Sequence, residues 1–428
     1  MQIVRTTVRV ALAAALARAG AVGAAEPSPG DVFPLADDPV LEALLSEALE
    51  RNPELRGARE ALAAARARVP QAGALPDPVI GVGYQNGGAG GFSGDEDSFV
   101  GVSVSQLLPF PGKRRLAGEV EAKEAARREQ PLARARLSLV EAVRRAYTDL
   151  LLARENLHLI DEQEETTRGI EAVTRSRYAV GLAEQTDVLR AQAELARLSQ
   201  MRIHEQGNET AALAELNRLL ARPTGAPVAP ARRLAALAER KLEAPSLTDL
   251  LARAEFASPE IAEARLGAAR SRLAADLARR ELKPDFDVQA SYMSRGSHPD
   301  MWALNLGIAV PAYAGRKQKQ ALAESEARLR EDEAGIEAKG LRVRAGIERS
   351  FAELAAALRE AEAYQSGVLV VDRLASESAL ANYKAGKVPF ITVLEAHNTR
   401  YRDRWTYTRL LAHILWQSAR LDALLPVE

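Results

Sequence analysis

Two stretches about 205 residues apart carry matching text. Tyr178, Gly181 and Val188-Leu189 in the first correspond to Tyr383, Gly386 and Val393-Leu394 in the second. A long helical pattern runs into each stretch and another runs out. Gly takes the left-handed C-cap conformation without steric cost, so Gly181 and Gly386 are expected to stop the incoming helices. Pro389 suits the first turn of the returning helix, where no amide donor is needed. Each stretch therefore reads as the tip of a long helical hairpin, and the chain as an internal duplication.

The duplication extends outward from the tips. Asp38-Pro39 opens the first helical text, expected to end near Val69 with Pro70, Pro76 and Pro78 beyond it. Its break at Asn52-Pro53-Glu54-Leu55 recurs as Ser258-Pro259-Glu260-Ile261. Long helical patterns run from Lys113 to about Tyr178, with an irregularity expected at Pro131, and from Arg316 to Tyr383. Return helices cover about 185–221 and 389–425. The first long run would span roughly 100 Å at about 1.5 Å per residue. Ile347, Phe351, Leu354, Leu358 and Ala361, like Val143, Tyr147, Leu150, Arg154 and Leu157, form heptad-like seams for packing against neighbouring helices.

Between helical texts the period changes to two. Residues 79–84 and 99–106 form one strand pair in the first half, and 286–293 and 302–310 another in the second. Ile80, Val82, Tyr84, Val100, Val102 and Val104 lie on one face, with Gly and Ser opposite. Phe286, Val288, Ala290 and Tyr292, then Trp302, Leu304, Leu306 and Ile308, repeat the pattern. The expected units are a first repeat over 26–222 with a helical hairpin at 113–221, a crossover over 223–244, and a second repeat over 245–428 with a hairpin at 316–425. The Gly-rich stretch 87–94 does not open a helix, so it reads as a turn rather than a phosphate loop.

Composition narrows the function. Lys and Arg total 57 against 58 Asp and Glu, which argues against a nucleic-acid partner. The chain has no Cys, so disulfides, thiolate catalysis and an N-terminal cysteine lipid anchor are excluded. The five histidines, His158, His204, His298, His397 and His413, show no ligand spacing, and no catalytic constellation stands out. No metal, cofactor or enzymatic activity is expected. Residues 1–25 resemble a secretory signal: Arg5 and Arg9 precede an apolar run from Val10 to Leu16, and small residues from Gly20 to Ala25 offer a cleavage site. No later segment approaches the roughly 20 apolar residues of a spanning helix.

A chain like this could cross a membrane only with its strands, whose length suits a tilted spanning strand. A half-exposed soluble sheet would show the same alternation. Four strands with open edges would leave backbone groups unpaired in hydrocarbon, so closure would need other copies. Three copies would give twelve strands; periodicity alone does not choose three over two or four.

The tip text, Tyr178-x-x-Gly181 followed by Thr186-Asp187-Val188-Leu189-x-Ala191, and the twice-repeated order of strand hairpin and helix resemble the TolC family of bacterial outer-membrane efflux channels. The corner Leu108-Pro109-Phe110-Pro111-Gly112-Lys113, echoed at Val310-Pro311-Ala312-Tyr313-Ala314-Gly315-Arg316, resembles the heavy-metal-efflux branch, the CzcC and CusC type. The resemblance implies a mainly α fold with a membrane β part. As a homotrimer it would form a 12-stranded β-barrel in outer-membrane lipid and a periplasmic α-helical barrel. A periplasmic adaptor and an inner-membrane pump of the RND type are the implied partners, and heavy-metal cations the implied cargo. Drugs or other small molecules are the alternative cargo, and a periplasmic coiled-coil scaffold or adaptor the alternative protein class.

By the same resemblance, the adaptor-docking tip would comprise Arg177, Tyr178, Gly181, Leu182, Thr186, Asp187 and Leu189, with Tyr383, Gly386 and Lys387 from the second copy. The pore constriction would fall at Thr392 and Glu395. Only Glu395 of that pair is acidic, which removes the double acidic ring seen in some relatives. Helix termination accounts for Gly181 and Gly386 in any reading, and a carboxylate at a helix N-terminus accounts for Asp187.

Overall fold

A computed structural model describes residues 33–35, 37–85, 98–239, 243–295 and 298–425. The leader and its cleavage site, and the Gly-rich turn at 87–94, lie outside the described residues. The chain folds as helices α1 (Pro39–Arg51), α2 (Pro53–Gly73), α3 (Lys113–Ala179), α4 (Gln185–Leu219), α5 (Leu247–Ala257), α6 (Pro259–Arg280), α7 (Gln318–Ala363), α8 (Leu369–Lys384) and α9 (Phe390–Leu424). Strands β1 (Val79–Gln85), β2 (Phe99–Leu108), β3 (Asp285–Arg295) and β4 (His298–Ala309) complete it. Among the described residues, no helix is long and apolar enough to cross a membrane.

Helix α3, 67 residues, is the spine. It packs against α2, α4, α6 and α9. Helices α2 and α4 stack end to end beside it. Asn52 makes that joint. Its Oδ1 caps α2 by accepting from the Glu54 and Leu55 amides at 2.9 and 3.2 Å, while its Nδ2 donates to the Leu219 carbonyl at 3.0 Å. Glu47 pairs with Arg222 across the same joint. The main core lies at this level, where Leu41, Leu55, Tyr147, Leu150, Leu216, Ile347, Leu354 and Leu415 are buried together. Asp38 caps α1 and accepts from the Tyr147 hydroxyl at 2.9 Å. Asp422 accepts from the Phe33 amide at 3.1 Å and pairs with Arg144 at 2.5 Å, which ties the N-terminal segment to α3 and α9.

Several helical details differ from expectation. Helix α2 continues through Pro70 to Gly73, and α3 carries Pro131 without a break. Helix α9 begins at Phe390, so Pro389 is its N-cap rather than a first-turn residue. The second long helix is not continuous, because Tyr364–Val368 forms a π turn between α7 and α8. That run contains Gln365-Ser366-Gly367, and Ser366 Oγ donates to the Glu362 carbonyl at 2.7 Å. A side-chain donor and a glycine favour the wider turn there. The matching first-copy text, Leu159 to Gln163, has neither Ser nor Gly and stays α-helical.

The four strands form one antiparallel sheet in the order β1-β2-β3-β4. The register sets Ile80 opposite Val104, Val104 opposite Ala290, and Ala290 opposite Leu304. One face is therefore aliphatic and aromatic from edge to edge. It is also open: Ile80 is 70% exposed, Leu306 69% and Trp302 79%. Glycine, Ser, Asn and Asp line the opposite face, where Ser105 donates to Asp287 at 2.8 Å. His298, expected in a loop, starts β4 and pairs with Arg295 in the ladder.

Candidate functional site

Both tips are built by the same backbone device. In the first, the Leu182 amide donates to the Arg177 carbonyl at 2.8 Å and the Gly181 amide to the Tyr178 carbonyl at 3.0 Å. In the second, Lys387 donates to Asn382 at 2.8 Å and Gly386 to Tyr383 at 2.9 Å. This is the Schellman pattern, with φ of 77° at Gly181 and 75° at Gly386. Asp187 sits in the first turn of α4, 3.7 Å from Arg190. Thr186 donates to Glu184 at 2.9 Å.

Arg177 joins the two tips. Its guanidinium donates to the Lys384 carbonyl at 3.1 Å and the Leu182 carbonyl at 3.3 Å, and lies 4.9 Å from the Tyr383 ring centre. The equivalent tyrosines have separated roles. Tyr178 is 46% exposed, whereas Tyr383 is 3% exposed and packs in a small core with Ile170, Ala191, Val393 and Phe390. Of the expected docking set, Tyr383 thus lies buried behind the tip surface rather than on it. The cause is Phe390, edge-on to Tyr383 at 5.8 Å, which has Gln185 as its first-copy counterpart. The tip surface itself is apolar in the first copy, where Leu182 and Leu189 are exposed beside Tyr178. Val180 is 69% exposed in the same patch and was not singled out by the repeat, since its second-copy counterpart is Ala385. Lys384 and Lys387 make the second tip basic and exposed.

Thr392 and Glu395 lie exposed on α9, one turn apart. Glu395 opens onto a groove of about 680 Å³ bounded by α3, α4 and α9. Glu194, Glu205, Arg402 and Arg409 line the same groove, and Thr392 does not. Higher up, His397 is buried and its Nε2 lies 3.1 Å from Thr167 Oγ1. Thr167 spends its own proton on the Gln163 carbonyl at 2.7 Å, which leaves His397 to donate from Nε2. Burial, aided by Arg400, pushes its pKa down to about 4. His397 is therefore a helix-packing group. Among the described residues, no cluster of three or more His, Cys, Asp or Glu could hold a metal ion.

The chain thus brings together two duplicated hairpins joined at their tips and one sheet bare on its apolar face. The family model for outer membrane efflux proteins matches residues 44–222 and 250–426, and the chain belongs to that family. It is similar to Protein CyaE of Bordetella pertussis, 27% identical over 353 residues that cover 79% of this chain and 73% of the relative. Its fold is similar to that of CusC, with a TM-score of 0.79 at 21% identity and coverage of 92% and 93% of the two chains. The outer membrane protein VceC of Vibrio cholerae has a TM-score of 0.76 at 20% identity, with coverage of 90% and 96%.

Proposed function

We propose that this outer-membrane efflux protein works as a homotrimer whose three sheets close into one 12-stranded barrel. The observation that carries this is the sheet: β1 and β4 are its outer strands, and its exposed face is apolar across all four. Hydrocarbon outside would cover that face, and neighbouring copies would pair the two open edges. The α-hairpins would then form a conduit into the periplasm. The first-copy tip patch of Tyr178, Val180, Leu182 and Leu189, with Arg177, Thr186 and Asp187 holding its shape, would receive a periplasmic adaptor. Gly181 and Gly386 set the turns, and Lys387 would flank the contact. An inner-membrane pump of the RND type would supply the energy; this chain carries cargo and does no chemistry.

Heavy-metal cations are the proposed cargo, on the strength of the Pro-Phe-Pro-Gly-Lys corner and of Glu395 near the tip. Three copies of Glu395 would make a cation-attracting constriction, with Thr392 beside it. Replacing Glu395 with Ala should weaken divalent-cation block of single-channel currents. Unchanged block and conductance would remove the constriction. A strain lacking the chain should lose tolerance to a heavy metal while keeping its drug tolerance; the reverse pattern would assign drugs as cargo.

A further inference from the structure

Several cations border the lower end of the sheet without a carboxylate partner among the described residues. Val79, Leu108, Asp285 and Ala309 all lie at this end. Lys113 is buried and saturated, pairing with Asp285 at 2.8 Å and Glu281 at 3.1 Å. Arg114 next to it, Arg280 and Lys283 next to its partners, and Arg316, Lys317 and Lys319 after β4 have no ion pair among the described residues. Arg280 donates to the Pro111 carbonyl at 3.4 Å, and Arg114 donates twice to the Gly73 carbonyl at 3.0 and 2.9 Å. Carbonyls hold these guanidiniums in place and leave their charge intact. Three of the chain's nine lysines, Lys283, Lys317 and Lys319, fall among these cations, so the concentration is local and does not reflect the near-neutral whole.

A slot of about 550 Å³ opens at the first corner. Leu75, Leu108 and Phe110 form its apolar wall, and Arg114 its basic one, with Arg115 beside it paired to Glu119. Leu108 shares the sheet's apolar face through its partner Phe286. The slot thus continues the exposed apolar face downward and ends it in positive charge. At the second corner Tyr313 is 81% exposed beside Arg316 and Lys317, an aromatic and basic pair suited to a membrane interface.

We infer that the corner slot and its basic border bind an anionic glycerophospholipid, acyl chain against Leu75, Leu108 and Phe110 and headgroup phosphate at Arg114. Arg280, Lys283 and the Arg316–Lys319 run supply the surrounding positive field. A free phosphate would use the cations but not the apolar wall. The inference rests on the sheet being the membrane-embedded part.

Native mass spectrometry of the detergent-extracted protein, titrated with phosphatidylglycerol or phosphatidylethanolamine of the same chains, tests it. Phosphatidylglycerol should be retained about tenfold better, since each basic group near a lipid surface contributes severalfold in affinity. The exposed triple variant R316Q/K317Q/K319Q should lose most of that preference with its assembly intact, and R114Q should lose it further. Millimolar inorganic phosphate should not displace the lipid. Equal retention of both lipids, an unaltered preference in both variants, or full displacement by phosphate would each overturn the lipid site and leave the channel reading standing. A protein that extracts without detergent would overturn both.

Discussion

Tyr178 and Tyr383 occupy the same place in two copies of one motif and do opposite work. The difference lies seven residues further on, where Gln185 leaves Tyr178 uncovered and Phe390 buries Tyr383. Backbone handedness is equally residue-specific. Gly181 has open space around a would-be Cβ, so Gly181→Ala costs only what the left-handed φ imposes, about 1–2 kcal/mol. Ala221 ends α4 with the same bonding pattern, Arg222 amide to Asn217 carbonyl at 2.9 Å, but pays that cost already at φ 54°. Ala221→Gly should therefore stabilise the fold by up to about 1 kcal/mol, and Gly181→Ala should destabilise it by about 1–2 kcal/mol. Denaturant midpoints of the two variants should move in opposite directions; movement in the same direction would contradict this account of the helix ends.

At the level of elements, Arg177 binds both tips. Arg177→Ala removes a guanidinium shared between two carbonyls and the Tyr383 ring. Amide hydrogen exchange around Lys384 to Phe390 should rise, with protection in the Leu41–Leu415 core unchanged. Unaltered exchange at the second tip would show that the tips are held by the apolar cluster alone. Helices α3 and α9 are joined higher up by His397 and Thr167. His397 has a folded pKa of about 4, below the unfolded value of about 6.5. Its neutral form is the one the fold prefers, so its contribution is whole above pH 6.5 and falls away as pH drops toward 4. The loss is ~3 kcal/mol at about 1.4 kcal/mol per pKa unit. Thermal melts between pH 7 and 4.5 should show a smaller fall for His397→Gln than for the parent chain. Equal falls would mean that carboxylates alone govern the acid response.

The whole molecule was legible wherever periodicity carries the information. The helix and strand order, the apolar face of the sheet and the two Schellman tips all follow from spacing and from Gly181 and Gly386. Details set by contacts distant in sequence did not. The sequence pattern gave no sign that Arg177 would reach the Lys384 carbonyl, that Pro131 would be absorbed within a continuous α3, or that Val180 would join the exposed patch. The π turn at Tyr364–Val368 came nearer to being readable, because Ser366 and Gly367 break the resemblance to Leu159–Gln163. For the candidate site, the tip positions were visible as a motif, while the division between surface and support required the packing of Tyr383 against Phe390.

The central claim is that an open four-stranded sheet is completed by two further copies of the same chain. Light scattering of the protein extracted from outer membranes in detergent, with the detergent mass subtracted, measures this directly. The account predicts a particle of three chains that stays assembled on dilution. A monomer that remains soluble without detergent would mean that the apolar sheet face meets something other than lipid, and the trimeric barrel would be wrong.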